Sequence, residues 1–361
     1  MYTQQDNLGQ LLILKVTGLR WDSSLENFIR RLLPGGILLG APFTHRAEST
    51  REFLIKLARA APAVPFLAVE EEGGTVDPLR AFLPPLPAPR TAAEKGPAAV
   101  SRLGELVSAA LHLLGFNTDL APVLDLASPA PGKTSETRAF SSNPEQVAKC
   151  GAAFLDGIER HNLLGCGRHF PGLETALYWG APEPPVVSKS MAQLWREDLV
   201  PYRVLLPRLP LVLVSTAAYK AYDFDLLQSA GLSAKVVEGL LRAKLGYTGV
   251  AIACGLETEA VRGTLDLGEA AVQALRAGCD MLLLEKAEGA ERVQTALSAA
   301  RESGKLPRPR VEQALKRIRL AKEGLKPPRG PMPRKSLARV VREIIEFSSE
   351  FAGCGKIETR K

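Results

Sequence analysis

Charged, imidazole and thiol side chains recur in this chain just where short apolar runs end. PFLAVEEEGG (65–74) closes on Glu70, Glu71 and Glu72. The run at 117–122 is followed by Asp125, and LLGCGRH (163–169) ends in Arg168 and His169. LVLVST (211–216) ends in Ser215 and Thr216, GVAIAC (249–254) in Cys254, and DMLLLE (280–285) in Glu285. Arg138 stands on a long excursion between two of these runs. Carboxylates at such places bind hydroxyls or move protons once burial and neighbours have shifted their pKa values. A guanidinium adds a planar fork of donors, and a thiol becomes a nucleophile only as its thiolate. With few aromatics among them, such groups around one mouth suit a polyhydroxylated ligand better than a flat apolar one.

The elements that must carry these groups are legible. Apolar segments at Leu11–Val16, Gly36–Leu39, Pro65–Val69, Asn117–Pro122, Leu164–His169, Leu211–Ser215, Gly249–Ala253 and Asp280–Leu284 are apolar nearly throughout. That is the pattern of parallel strands covered on both faces. Helical stretches separate them. Asn143-Pro144-Glu145-Gln146 supplies a cap, a first-turn proline and a capping-box partner. Val147, Cys150, Gly151, Phe154, Leu155 and Ile158 follow as one stripe. A second helix runs from Ser233 to a stop at Gly246, and a third is expected near Glu257 to Ala277. Eight strands alternating with helices predict an α/β protein with a (β/α)8 barrel, whose function gathers on the loops after the strands. The competing doubly wound sheet lacks its phosphate-binding glycine turn, since neither GxGxxG nor GxxxxGK[ST] occurs.

At 361 residues the chain is long enough to bury a core without staples. The five cysteines, Cys150, Cys166, Cys254, Cys279 and Cys354, show no CxxC spacing, so a disulfide framework or zinc finger is not expected. No metal or cofactor is implied. The N-terminus lacks a signal-peptide pattern and no apolar run reaches membrane-spanning length, so a cytoplasmic setting is expected. Forty-six basic against 39 acidic side chains give +7, and the excess is local. Residues 305–345 hold 13 Lys/Arg against three Glu, which leaves the rest slightly acidic. The barrel is assigned to 1–325; 326–361 reads as a basic Pro-rich linker and a short helix over Ser336–Phe351. That tail reads as the solvent face of helices, with an acidic partner or anionic polymer as the sharper alternative. No RNA-binding signature or stacking ladder accompanies it, so no nucleic-acid partner is expected.

Taken together, GGILLG (35–40), PFLAVEEEGGTV (65–76), FNTDLAPVLDLA (116–127), RAFSSNPE (138–145), GRHFPG (167–172), LLRAKLGYTGVAIACGLETEAV (240–261) and ALRAGCDMLLL (274–284) resemble the family 3 glycoside hydrolases. The likeness is to the bacterial β-N-acetylhexosaminidase branch that trims peptidoglycan fragments. It spans about residues 10 to 325, in the family's order.

The resemblance implies a retaining hydrolase acting on N-acetylglucosaminides, with a small carbohydrate ligand. Retention needs a carboxylate nucleophile about 5 Å from the acid/base group. In that branch the nucleophile is an aspartate of a Ser-Asp-Asp-Leu pattern; here the matching residues are Ala253-Cys254-Gly255-Leu256. Cys254 therefore stands at the nucleophile position, and Gly255 replaces the second aspartate. The branch's acid/base Asp-Ser-His falls on a loop reading LETALYWGAPEPPVV, with Trp179 at the aspartate and Ala181 at the histidine; no histidine follows His169 anywhere. Binding positions fare better. Arg138 and His169 are kept, Arg168 replaces a lysine, Glu70 replaces a sugar-binding aspartate, and Pro78 replaces a binding arginine.

The expectation is thus a catalytically degenerate carbohydrate-binding or regulatory barrel. An active hydrolase with a rearranged pair is the alternative, with Glu174 or Glu183 as substitute acid, or with Glu257 beside Cys254. An interaction scaffold using the basic tail is the third reading. Cys254 reads either as a small apolar filler or as a thiol whose pKa of about 8.5 falls beside Arg168 or His169. Glu71 and Glu72 read as loop charges and backbone anchors. Cys150, Cys166 and Cys279 read as packing.

Overall fold

The computed structural model describes residues 7–18, 20–40, 46–61, 63–128, 135–173, 176 and 183–351. The barrel strands are β1 (Leu12–Thr17), β2 (Gly36–Gly40), β3 (Phe66–Val69), β4 (Thr118–Asp119), β5 (Leu164–Phe170), β7 (Leu211–Val214), β9 (Val250–Ala253) and β10 (Met281–Leu284). They close in the order β1-β10-β9-β7-β5-β4-β3-β2, every pair parallel. All eight strand expectations hold, and the fold is an α/β barrel. Two further segments, β6 (Val186–Val187) and β8 (Ala218–Tyr219), lie in the connections after β5 and β7 and pair with each other.

The strands form because Leu, Ile and Val side chains are removed from water on both faces, each full burial contributing about 1.5–3 kcal/mol. Every residue of β2, β3, β7, β9 and β10 is buried. The regular part of β4 is shorter than Asn117–Pro122 implied, because Pro122 has no N–H to give the ladder. Pairing resumes irregularly beyond it: the Cys166 amide donates to the Ala121 carbonyl at 2.7 Å, and the Leu124 amide to the Arg168 carbonyl at 2.6 Å.

The Asn143 cap holds as read, its side chain accepting from the Gln146 amide at 2.8 Å ahead of the Pro144–Glu159 helix. The helix expected to end at Gly246 is a π-helix over Lys235–Lys244, with Gly246 at φ +69° beyond it. The single helix expected over 257–277 is instead two, Glu259–Arg262 and Leu267–Ala277. Asp266 accepts from the Gly268 and Glu269 amides, and this fresh N-cap starts a new helix in place of a continuation.

The tail is bound to the barrel. Arg51 donates to the carbonyls of Leu113, Arg329 and Gly330 at 2.7, 2.5 and 3.1 Å, tying down the Pro-rich segment. A helix over Arg334–Ser349 then buries Val340, Ile344 and Phe347, and Glu343 accepts from Arg102 at 2.9 Å. Its Arg334, Lys335, Arg339 and Arg342 face solvent.

Candidate functional site

The polar groups of the mouth are placed by the pleat of β5. A Cβ on Gly165 or Gly167 would come within 2.6 Å of Leu155 or Leu209, so both glycines face the helices. Alternation then turns Cys166 and Arg168 toward the barrel interior. Arg168 is 1% exposed and donates to Glu70 at 2.5 Å. It also contacts Glu72, which accepts a bidentate pair from Arg138 at 2.7 Å through both nitrogens. Glu70, Glu72, Arg138 and Arg168 thus form one ion-pair network on three segments of the chain. Burial opposes ionisation of Glu70, but Arg168 outweighs it and holds the carboxyl below its usual range. The Arg168 Nε has no hydrogen-bond partner.

His169 follows an irregularity in β5, where the pairing register shifts between Arg168 and Phe170, and the Arg168–His169 peptide is cis. Asp125 positions it. One carboxylate oxygen stands 2.7 Å from the ring Nδ1; the other accepts from the amides of His169 at 3.2 Å and Leu173 at 2.9 Å. Burial works to raise the Asp125 pKa, and the His169 ring with these amides more than offsets it. The Asp125 contact fixes the orientation of the imidazole ring.

Cys254 ends β9 half-buried, packed against the core, with its thiol donating to the Val214 carbonyl at 3.3 Å. The lowered thiol pKa considered above is not what the structure gives. Burial, reinforced by Glu285 and Glu70 and only partly opposed by Arg168, pushes the thiol up to about 12. At neutral pH it is uncharged. Gly255 beside it has φ +69°, and a Cβ there would meet the Thr216 methyl at 2.5 Å.

The substitute acids divide as follows. Glu257 is raised by burial, and its two oxygens accept from the Glu285 and Lys286 amides at 2.5 and 3.1 Å, so it anchors the loop after β10. Glu183 is exposed. Glu174, Trp179 and Ala181 lie outside the described residues, as does Cys354. Cys150, Cys166 and Cys279 are buried in the core. Ser215 uses its hydroxyl to accept from the Ala217 amide at 3.0 Å, a turn-forming role. Among the described residues no group of three or more His, Cys, Asp or Glu could hold a metal ion, and no helix is long and apolar enough to cross a membrane.

Two residues of the mouth, Asp119 and Lys15, escaped the sequence reading, and Glu72 differs from it. Glu71 is a backbone anchor as read, accepting from the Gly73 amide at 2.9 Å and the Leu79 amide at 3.3 Å. Glu72 is not a loop charge: it is buried and carries two guanidinium partners. Asp119 faces inward, accepts from the Glu71 amide at 2.9 Å, and leaves Oδ2 unpartnered; burial raises its pKa well above the ordinary value. Lys15 of β1 reaches Glu285 at 2.6 Å. Its signal was a lone lysine inside LLILKVT.

A closed parallel barrel with its polar groups gathered at the strand ends is the frame on which many barrel hydrolases build their sites. The chain belongs to glycosyl hydrolase family 3: residues 3–321 match that family's N-terminal domain. It is 32% identical over 279 residues to a β-hexosaminidase of Tolumonas auensis, covering 75% of this chain and 81% of that protein. A β-hexosaminidase of Bordetella avium is 33% identical over 284 residues, covering 76% and 79%. Among solved structures, a family 3 β-N-acetylglucosaminidase from Paenibacillus sp. FPU-7 superposes with a TM-score of 0.85 at 25% identity, over 96% of this chain and 69% of that one.

Proposed function

We propose that this chain is a family 3 barrel of the β-N-acetylhexosaminidase kind that holds a small N-acetylglucosamine-type sugar and has lost, or nearly lost, the power to cleave it. The observation that carries this reading is the neutral, hydrogen-bonded Cys254 thiol at the position where the family resemblance calls for an ionised aspartate. A retaining hydrolase forms a glycosyl ester on a carboxylate, and a protonated thiol held on the Val214 carbonyl offers no such group. The two carboxylates that act on it have other work, Glu70 paired with Arg168 and Glu285 with Lys15, and Glu257, three residues on, accepts from backbone amides. The missing imidazole removes a further factor of about 10²–10⁴. Glu70, Arg138, Arg168 and His169 support ligand binding, since they form a polar cup of charge-assisted donors and acceptors.

The test pairs two measurements on the full chain. Hydrolysis of a chromogenic N-acetylglucosaminide is expected at or near background, while calorimetric titration with N-acetylglucosamine is expected to show binding that Arg138→Gln weakens. Turnover at ordinary enzyme rates, abolished by Cys254→Ala or Glu174→Gln, overturns the reading in favour of a rearranged hydrolase.

A further inference from the structure

The Lys15–Glu285 bridge lies outside the network that holds Glu70, Arg138 and Arg168. We propose that it is a sugar-recognition element of the mouth, presenting a paired donor and acceptor to the vicinal hydroxyls of a neutral pyranose and rejecting sugars that carry a carboxylate. This rests on the reading of the barrel as a sugar holder.

Position comes first. Leu14 of β1 is paired with Leu284 of β10, so Lys15 and Glu285 are the next residues along two adjacent strands, at the end where barrels bind ligands. The bridge is 2.6 Å long, and the two side chains are 26% and 42% exposed, open to the mouth rather than sealed beneath it. Cys254 sits on the neighbouring strand, and the carboxylates acting on its thiol are Glu285 and Glu70. The pair therefore borders the spot where the family's nucleophile would stand.

Chemistry comes second. The bridge uses one of the ammonium's three N–H donors and one of the carboxylate's two oxygens. A hydroxyl both donates and accepts, so adjacent hydroxyls on a ring can bond to the ammonium and the carboxylate at once. The partners also neutralise each other, so a sugar that covers them does not strand an unpaired charge. A carboxylated sugar meets different conditions. Glu285, Glu70 and Glu257 all act on Lys15, so three carboxylates already face this one ammonium and a sugar carboxylate would have to compete with them for it.

The backbone makes room for the arrangement. A Cβ on Gly40, at the end of β2, would stand 2.9 Å from the Lys15 Cε and 3.3 Å from its Cγ. The lysine stem thus lies across a position that has no side chain.

Calorimetry on the full chain tests the proposal, with N-acetylglucosamine as the neutral probe and N-acetylmuramic acid as the acidic one. Lys15→Met and Glu285→Gln are each expected to weaken N-acetylglucosamine binding about tenfold, the usual scale for losing a bond to a charged group. Gly40→Val, which changes no charge, is expected to weaken it similarly by displacing the lysine stem. Glu285→Gln is also expected to narrow the gap between the two probes. The double variant Lys15→Met/Glu285→Gln, which leaves neither charge unpaired, guards against a misfolded single variant. Binding by the parent with every variant within twofold of it, and an unchanged gap between probes, overturns this inference alone. No binding by the parent overturns both it and the sugar-holder reading. Turnover by the parent, with the variants raising KM at constant kcat, overturns the sugar-holder reading alone.

Discussion

Putting a carboxylate at position 254 should not revive hydrolysis. The surroundings of Cys254 move its thiol from an ordinary 9.0 to about 12, with burial as the main cause and Glu285 and Glu70 adding to it. At about 1.4 kcal/mol per tenfold change, that is on the order of 4 kcal/mol against an anion at this spot. A Cys254→Asp side chain inherits the same burial and the same two carboxylates, so it should fold protonated well above the ordinary aspartate range. Its protonated form can keep a hydrogen bond to the Val214 carbonyl; its ionised form cannot. A carboxyl whose pKa is raised by folding contributes its stability fully below the unfolded value near 3.9, and loses it as pH climbs through the folded value. The melting temperature of Cys254→Asp, measured against the parent from pH 4 to pH 8, should therefore fall progressively. On the proposed reading, in which no general acid is present, chromogenic assays over the same range should show less than about a tenfold gain over the parent. A pH-independent difference in melting temperature, together with a large gain in rate at pH 7, would refute this account of the site.

Three other outcomes follow from the same structure. Arg168→Met strands part of the buried Glu72 charge and should cost about 3–5 kcal/mol in urea unfolding; a cost below 1 kcal/mol would show the network to be dispensable. Asp119→Asn keeps the acceptor for the Glu71 amide while removing a titration that burial has raised. Since the parent loses that contribution as pH rises, the variant should gain on it between pH 4 and pH 8, and a constant difference would contradict the raised value. Phe347→Ala, in the tail helix, should cost about 3–5 kcal/mol if that helix is an integral part of the barrel wall. A loss under 1 kcal/mol would make the tail a loosely held appendage.

The strands were legible because burial on both faces demands unbroken apolar runs, and the carboxyl-end groups followed from counting one or two residues past each run. What escaped notice depends on distance through space. Glu72 sits in a row of three glutamates, and nothing in the row says which one meets two arginines from residues 138 and 168. Lys15 was visible as an oddity in LLILKVT, but its partner lies 270 residues away. His112, in a helix over Pro97–Leu114, and His161, in the turn after the Pro144–Glu159 helix, are far apart in sequence yet bring their rings to 6.2 Å. Of the two readings of Cys254, the thiol with a lowered pKa fails for a related reason. The nearby arginine was inferred from sequence, whereas the burial and the two carboxylates that outweigh it belong to the folded mouth. The break at Gly263–Asp266 was readable in principle, since Asp266 and Glu269 spell a capping box.

Gly255 has a bearing on which side chains the turn after β9 can carry. Its φ of +69° suits a residue without a side chain, and the Thr216 methyl already fills the space a Cβ would take. An acidic replacement there must take up a strained backbone conformation and move the Thr216 side chain at the β7 rim, so one substitution disturbs two neighbouring loops. Glycine at 255 is thus a residue that the local backbone and its neighbour both favour, and a side chain there works against the turn as it stands.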